Sequence, residues 1–317
     1  MPTEFVAAAR ARRAEEAPEV GDSVDIPRQR AGVGRLGVGG RQVPHTKVRV
    51  PPVPDSHVPR PELTDRLSRL VQVPVTLVSA PGGYGKTQLL ADWVRRTHGP
   101  GHVAWVTVDR DDDAPRLWAA IVEAVCGCAE VPADSPLLRL PALGTADDLL
   151  LLAELVDALE RLPRSRSVHL VIDDLHEAAD PGPLRLVERL LRHQPETLRI
   201  VFATRLDPPL PLARLRIDGR LAELRADDLR FSADATRELL RRSGLELDDD
   251  QVALLVEHTE GWAAGIRLAA MSLRRAPSVQ DFLDDFVGED HAVADYLVGE
   301  VLSGVPDELR TFLRMLS

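Results

Sequence analysis

The sequence predicts an α/β protein in which a parallel sheet is covered by helices on both sides and is followed by an all-α part. Three observations predict it. Short, nearly unbroken apolar runs at 74–80, 102–109, 168–172 and 198–203 have the character of strands buried on both faces. Stretches with apolar residues at helical spacing separate them. After Arg205 the strand signal fades to one short run, LAELRA at 221–226, and helical spacing takes over.

Taken in order, residues 1–43 read as a disordered tail, rich in Ala, Arg, Glu and Gly with no sustained periodicity. GVGRLG within it satisfies a dinucleotide-binding pattern at Gly32, Gly34 and Gly37, but no strand precedes it and Pro44 follows, so it reads as linker. Pro74 to Ala80 is the first strand. Lys86 to Arg96 is a helix, with Leu89, Leu90, Trp93 and Val94 on one side and Gly99 as its stop. His102 to Asp109 is the second strand, and Pro115 to Val125 a helix with Leu117, Ala120, Ile121, Ala124 and Val125 in register. A further helix starts at Thr145, with Asp148 in the capping position. Strand 168–172, helix 184–193 and strand 198–203 continue the alternation. Beyond a boundary near Asp228, Ser232 caps a helix ending near Gly244, and helices follow at 252–258 and 262–274.

Composition narrows the function classes. The 317 residues are 44% hydrophobic and 28% charged, values typical of a soluble globular protein, and long enough for two or three small domains. No apolar run reaches the roughly 18 residues needed to span a bilayer, and no apolar stretch follows the basic N-terminal residues, so the expected location is the cytoplasm with no membrane partner. The net charge is −11, which makes this portion a poor match for a nucleic-acid backbone. Cys126 and Cys128 are too close for an unstrained disulfide and read as small buried hydrophobes. The nine His show no metal-ligand spacing, and His176 reads as a loop hydrogen-bonder. Of the 39 basic residues only Lys47 and Lys86 are lysines, so a Lys in a phosphate cradle stands out from its background.

That cradle is APGGYGKT, Ala80 to Thr87, set between a strand and a helix. Backbone N–H groups around Gly82, Gly83 and Gly85 can turn inward, because glycine tolerates the dihedrals required. The adjoining helix N-terminus adds donors and the positive end of its dipole. Lys86 is placed to reach the β- and γ-phosphates, and the Thr87 hydroxyl to ligate Mg²⁺; Pro81, Tyr84 and Gln88 complete the nucleotide-binding stretch. Ala80 stands where the strict pattern begins with Gly. VHLVIDD, Val168 to Asp174, ends a buried strand in two carboxylates: Asp173 to hold the metal, Asp174 to polarise an attacking water. IVFATR ends the next strand in Arg205, read either as a γ-phosphate sensor or as a surface cation paired with an acid. In HVPR, Val58 is a candidate for packing on adenine, and Arg60 for binding the nucleotide or the adjoining domain. EGWAAGIRLAA, Glu260 to Ala270, reads as core packing through a small-residue helix face.

Taken together, TKVRVPPVPDSHVPRPEL, APGGYGKTQLLADW, LVIDDLHEA, FATRLDPPLPLARLR, LRFSADATRELL and TEGWAAGIRLAA, in this order, resemble the STAND class of P-loop ATPases, and within it the MalT-type large LuxR-family transcriptional regulators. The resemblance covers about 46–317 and implies a P-loop nucleotide-binding domain at 44–228, a helical domain at 229–276 and the start of a winged-helix domain at 277–317. It implies ATP or ADP and Mg²⁺ as cofactors, self-association in the ATP state, and DNA contact only through a C-terminal helix-turn-helix that these residues do not include. It maps the base region onto Val58 and Arg60, phosphate and metal onto Lys86 and Thr87, the Walker B pair onto Asp173 and Asp174, and the sensor onto Arg205. Where many relatives carry Gly-x-Pro to touch adenine, this sequence reads GWAAG. The amphipathic segment 306–317 leaves an apolar stripe with few partners, which reads as part of a longer protein. The expected behaviour is that of a switch whose hydrolysis is at most slow. The rivals are a turnover ATPase of the AAA+ kind and an interaction scaffold with a structural P-loop.

Overall fold

The computed structural model describes residues 43–98, 102–128, 131, 135, 148–163, 167–275, 278, 279 and 282, all within one compact unit. The expected tail, the linker glycines, the Thr145 cap and nearly all of the expected winged-helix start lie outside them.

Among the described residues, five strands form one parallel sheet: β1 (Val75–Ser79), β2 (Val103–Thr107), β3 (Val168–Asp173), β4 (Leu198–Thr204) and β5 (Leu221–Leu224). Their order across the sheet is β2-β3-β4-β1-β5. The register pairs Val75 with Ile200 on one side of β1 and with Leu221 on the other, and Thr107 with Asp173 across β2 and β3. The run LAELRA thus supplies an edge strand beside β1.

The strands read as unbroken apolar runs because successive residues face two different cores. Leu170, Ile172, Ile200 and Phe202 join one face with α3 (Ala114–Cys126), α4 (Asp148–Glu160) and α5 (Pro181–Arg192). Val171, Val201 and Ala203 join the other with α1 (Pro61–Leu70) and α2 (Lys86–Trp93). The helix that follows β1 therefore lies on the opposite face from those that follow β2 and β3. Chain reversals of this kind open a crevice at the carboxyl ends of the strands.

Caps set the helix starts. The Asp113 side chain accepts from Arg116 N, and Asp180 from Gly182 N, so α5 begins three residues ahead of the expected Leu184. The α-helical geometry of α2 stops at Trp93 and widens into a π turn over Val94–His98, where the Thr97 hydroxyl donates to Trp93 O at 2.6 Å. Lys47 pins a short turn over His45–Val48 by ion pairs to Asp109 at 2.6 Å and Asp112 at 2.5 Å. Cys128 is buried and Cys126 partly so, both as free thiols.

Short α6 (Leu212–Ile217) and α7 (Ala226–Leu229) precede and follow β5 in the chain, and α8 (Ala233–Arg242), α9 (Asp249–Thr259) and α10 (Ala263–Leu273) come next. Ser232 caps α8 by accepting from Ala235 N, and an Asp248–Gln251 capping box starts α9. The last three helices share a small core of Leu239, Leu240, Val252, Leu255, Ile266, Ala269 and Ala270. Among the described residues no helix is long and apolar enough to cross a membrane.

Candidate functional site

Because the sheet is parallel, β1, β3 and β4 all end at one rim, and each delivers a polar element there. β1 runs through Ala80 into a tight loop that turns into α2. Gly83 and Gly85 sit at φ 78° and 77°, a left-handed conformation that a side chain would strain. Among the described residues, the amide N–H groups of Gly82, Gly83, Tyr84, Gly85, Thr87 and Gln88 donate to no protein acceptor. Unpaired donors concentrated in one loop and the first turn of a helix form a nest suited to an anion. Lys86, only 7% exposed, folds its ammonium back onto Ala80 O at 2.7 Å and Pro81 O at 3.0 Å, two carbonyls at the loop's start.

β3 ends on Asp173, which is 1% exposed. The Thr87 hydroxyl lies 3.1 and 2.9 Å from its two carboxylate oxygens, across the join between α2 and β3. Burial pushes the Asp173 carboxyl up to about 6 and the neighbouring Asp174 charge pushes the same way; Thr87, the Asp174 amide and Lys86 oppose them. A hydroxyl and a carboxylate at this spacing are the hard oxygen donors a small divalent cation takes, and a cation there would draw the carboxylate back to its ionised form. Asp174 adopts φ 56°, ψ 36°, a left-handed conformation costing a non-glycine residue about 1 kcal/mol or more. Its N–H donates to Asp173 Oδ1 at 3.1 Å.

Arg205 follows the last residue of β4, and its charge acts on His176 and Glu177 in the turn after Asp174. His176 is held below its usual range, first by burial and also by the Arg205 and Lys86 charges, against the pull of Asp174 and Glu177. Lys86, Asp174 and Arg205 are therefore all within electrostatic reach of His176. Neither ring nitrogen of His176 makes a hydrogen bond, so the sequence reading of it as a loop hydrogen-bonder is corrected. Its half-buried imidazole has Nε2 3.4 Å from Glu177 Oε1 and feels the Asp174 charge.

Val58 and Arg60 lie on a strap, 55–60, fastened to the helical part. Val58 is 5% exposed and packs in the core of the last three helices. Arg60 donates to Leu229 O at 2.6 Å and lies over the Phe231 ring, 5.1 Å from its centroid; burial lowers its guanidinium to about 10. Arg242 donates to His57 O at 2.8 Å, and Arg267 to Ser56 Oγ at 2.6 Å. The strap thus joins the sheet domain to the helices.

Trp262 carries a contact that the sequence reading missed. Its indole N–H donates to Gly82 O at 2.8 Å, while Ala264 N–H donates to Gly83 O at 3.0 Å. A Cβ on Gly83 would stand 2.5 Å from Ala264 Cβ and 2.6 Å from Trp262 Nε1. The small residues of GWAAG permit a close approach, as their composition suggested, but the surface approached is the glycine loop. The signal available was an aromatic residue bracketed by Gly261 and Gly265.

No family model matches the chain. It is 33% identical over 279 residues to the serine/threonine-protein kinase PknK of Mycobacterium tuberculosis, covering 86% of this chain and 25% of that protein. It is 32% identical over 263 residues to the HTH-type transcriptional regulator MalT of Yersinia enterocolitica, covering 80% of this chain and 28% of the regulator. The chain thus spans about a quarter of the length of the curated relatives it matches. Among solved structures, a Walker-type ATPase of Pyrococcus abyssi superimposes with a TM-score of 0.55 at 15% identity, covering 84% of this chain and 78% of that one, which supports the fold.

Proposed function

We propose that the chain is a MalT-like P-loop ATPase module that acts as a nucleotide-controlled signalling switch, a reading supported by its similarity to MalT regulators and by its Walker-type fold. Gly82 to Gln88 bind the phosphates of ATP or ADP, with Lys86 swinging from its two carbonyls to the β- and γ-phosphates. Thr87 and Asp173 would hold Mg²⁺, which would supply charge neutralisation at the phosphates. Asp174 orients the water for a slow hydrolysis that resets the switch, and Arg205 registers the γ-phosphate. In the ADP state the helical part closes on the site. Exchange to ATP opens it and frees a surface for self-association, while DNA contact belongs to a helix-turn-helix outside these residues. A switch of this kind needs ATP and ADP to favour different states, since equal affinity shifts nothing however tight the binding.

The observation that carries this reading is the set of six amides in the loop and first helical turn that have no acceptor among the described residues, together with the Thr87–Asp173 pair. It is tested by releasing nucleotide from freshly purified protein and measuring steady-state ATP turnover. Trapped ADP with very slow turnover supports the switch. Brisk turnover by the isolated protein points to a motor, and absence of any nucleotide binding to a scaffold.

A further inference from the structure

The proposed switch needs some part of the helical segment to detect the phosphate cradle, and the base-contacting Pro of many relatives is not present in GWAAG. The contacts around Trp262 point to another route. A trans peptide unit is planar, with its C=O and N–H directed oppositely. A donor that holds Gly82 O from outside the loop therefore sets the direction of Gly83 N–H, and one that holds Gly83 O sets that of Tyr84 N–H. Those donors are the Trp262 indole at 2.8 Å and the Ala264 amide at 3.0 Å. The two N–H groups they orient have no protein acceptor among the described residues.

The surroundings of Trp262 aim it at this task. Glu260 and Gly261 both adopt left-handed conformations, at φ 50° and 69°, and turn the chain sharply just before it. Phe231 N–H donates to Gly261 O at 2.8 Å, and a Cβ on Gly261 would stand 2.7 Å from Phe231 O. The indole lies so close over Gly265 that a Cβ there would meet its Cε3 at 2.5 Å. Gly265 thus lets the ring lie close against its own helix, and Gly261 lets the preceding turn pack on Phe231, while the indole N–H reaches the loop.

We propose that Trp262 is a positioning residue for the phosphate cradle. From the loop's outer face it orients the amides that receive a phosphate on the inner face, and so couples cradle occupancy to docking of the helical segment. This rests on the switch reading above and supplies the physical link for its closed, ADP-bound state. Hydrogen bonds through one peptide unit polarise each other, so an anion on Gly83 N–H strengthens the bond from Trp262 to Gly82 O. By reciprocity, docking tightens phosphate binding by the same factor that phosphate tightens docking.

The test uses the full chain with Trp262→Phe, and with benzothienylalanine at position 262, which keeps the indole's shape but has no N–H. The probe is mant-ADP with direct excitation of the mant group, alongside hydrogen exchange of amides 263–273 with and without ADP. Loss of one such bond predicts affinity weakened about three- to tenfold in both variants. In the natural chain ADP slows exchange across 263–273; in both variants that slowing is lost. If the natural chain binds mant-ADP and the benzothienylalanine chain binds equally well, with the same ADP-dependent slowing, the proposal is overturned while the switch reading stands. If the natural chain does not bind mant-ADP, both fall.

Discussion

Replacing Asp173 with Asn gives a pH-dependent stability difference whose sign follows from the site. The folded-state carboxyl is raised from 3.8 to about 6, chiefly by burial and next by the Asp174 charge. A raised acid means that the folded protein holds the proton more tightly than the unfolded chain does. Ionisation therefore costs nothing below about 3.8, the cost grows between 3.8 and 6, and above 6 it is full. At about 1.4 kcal/mol per unit, the full penalty is about 3 kcal/mol at pH 8 and about half of that at pH 5. Asn cannot ionise and still offers Thr87 an acceptor, so in divalent-free buffer Asp173→Asn should be the more stable protein at pH 8. Its advantage should shrink by roughly half at pH 5. Urea unfolding at the two pH values measures this. With Mg²⁺ and ADP present the order should reverse at pH 8, because a cation that needs the carboxylate stabilises only the natural chain. A difference between the two proteins that is the same at pH 5 and pH 8 would show that burial does not penalise ionisation of this carboxyl.

Other outcomes follow from the same geometry. Lys86→Ala removes an ammonium that folds back onto two loop carbonyls, so calorimetry should find ATP binding lost with the melting temperature nearly unchanged; unaltered affinity would defeat the phosphate role. Gly83→Ala and Gly85→Ala both strain a left-handed residue by about 1–2 kcal/mol. Of the two, Gly83 alone has neighbours within 4 Å of an added Cβ, so its variant alone should also release the helical segment, read as faster proteolysis between 226 and 275. Arg60→Ala removes a charged donor from the carbonyls of Leu229 and Arg230, which should cost about 2 kcal/mol in urea unfolding and expose the junction near 228–231 to protease.

The local features were the readable ones. The strands stand out because β3 and β4 are buried on both faces and carry almost nothing but apolar residues. The glycine loop stands out because backbone dihedrals are a local demand, met by the residue in place at 83 and 85. LAELRA was too short for its periodicity to assign a partner, and only pairing with β1 makes it part of the sheet. His176 looked like an ordinary loop residue because nothing in its neighbours along the chain indicates that folding brings the Arg205 and Lys86 charges to bear on it.

What this chain's residues announce in succession is a sheet with helices on both sides, a phosphate-binding loop and an acidic strand end. Folding alone decides which of them meet. Thr87 reaches Asp173 across 86 positions, and Trp262 reaches Gly82 across 180. Conformational preference and periodicity act over a few residues, so they leave a record in the order of amino acids. Hydrogen bonds between distant segments need two surfaces whose approach depends on every helix and strand packed between them, and no short stretch of sequence contains that.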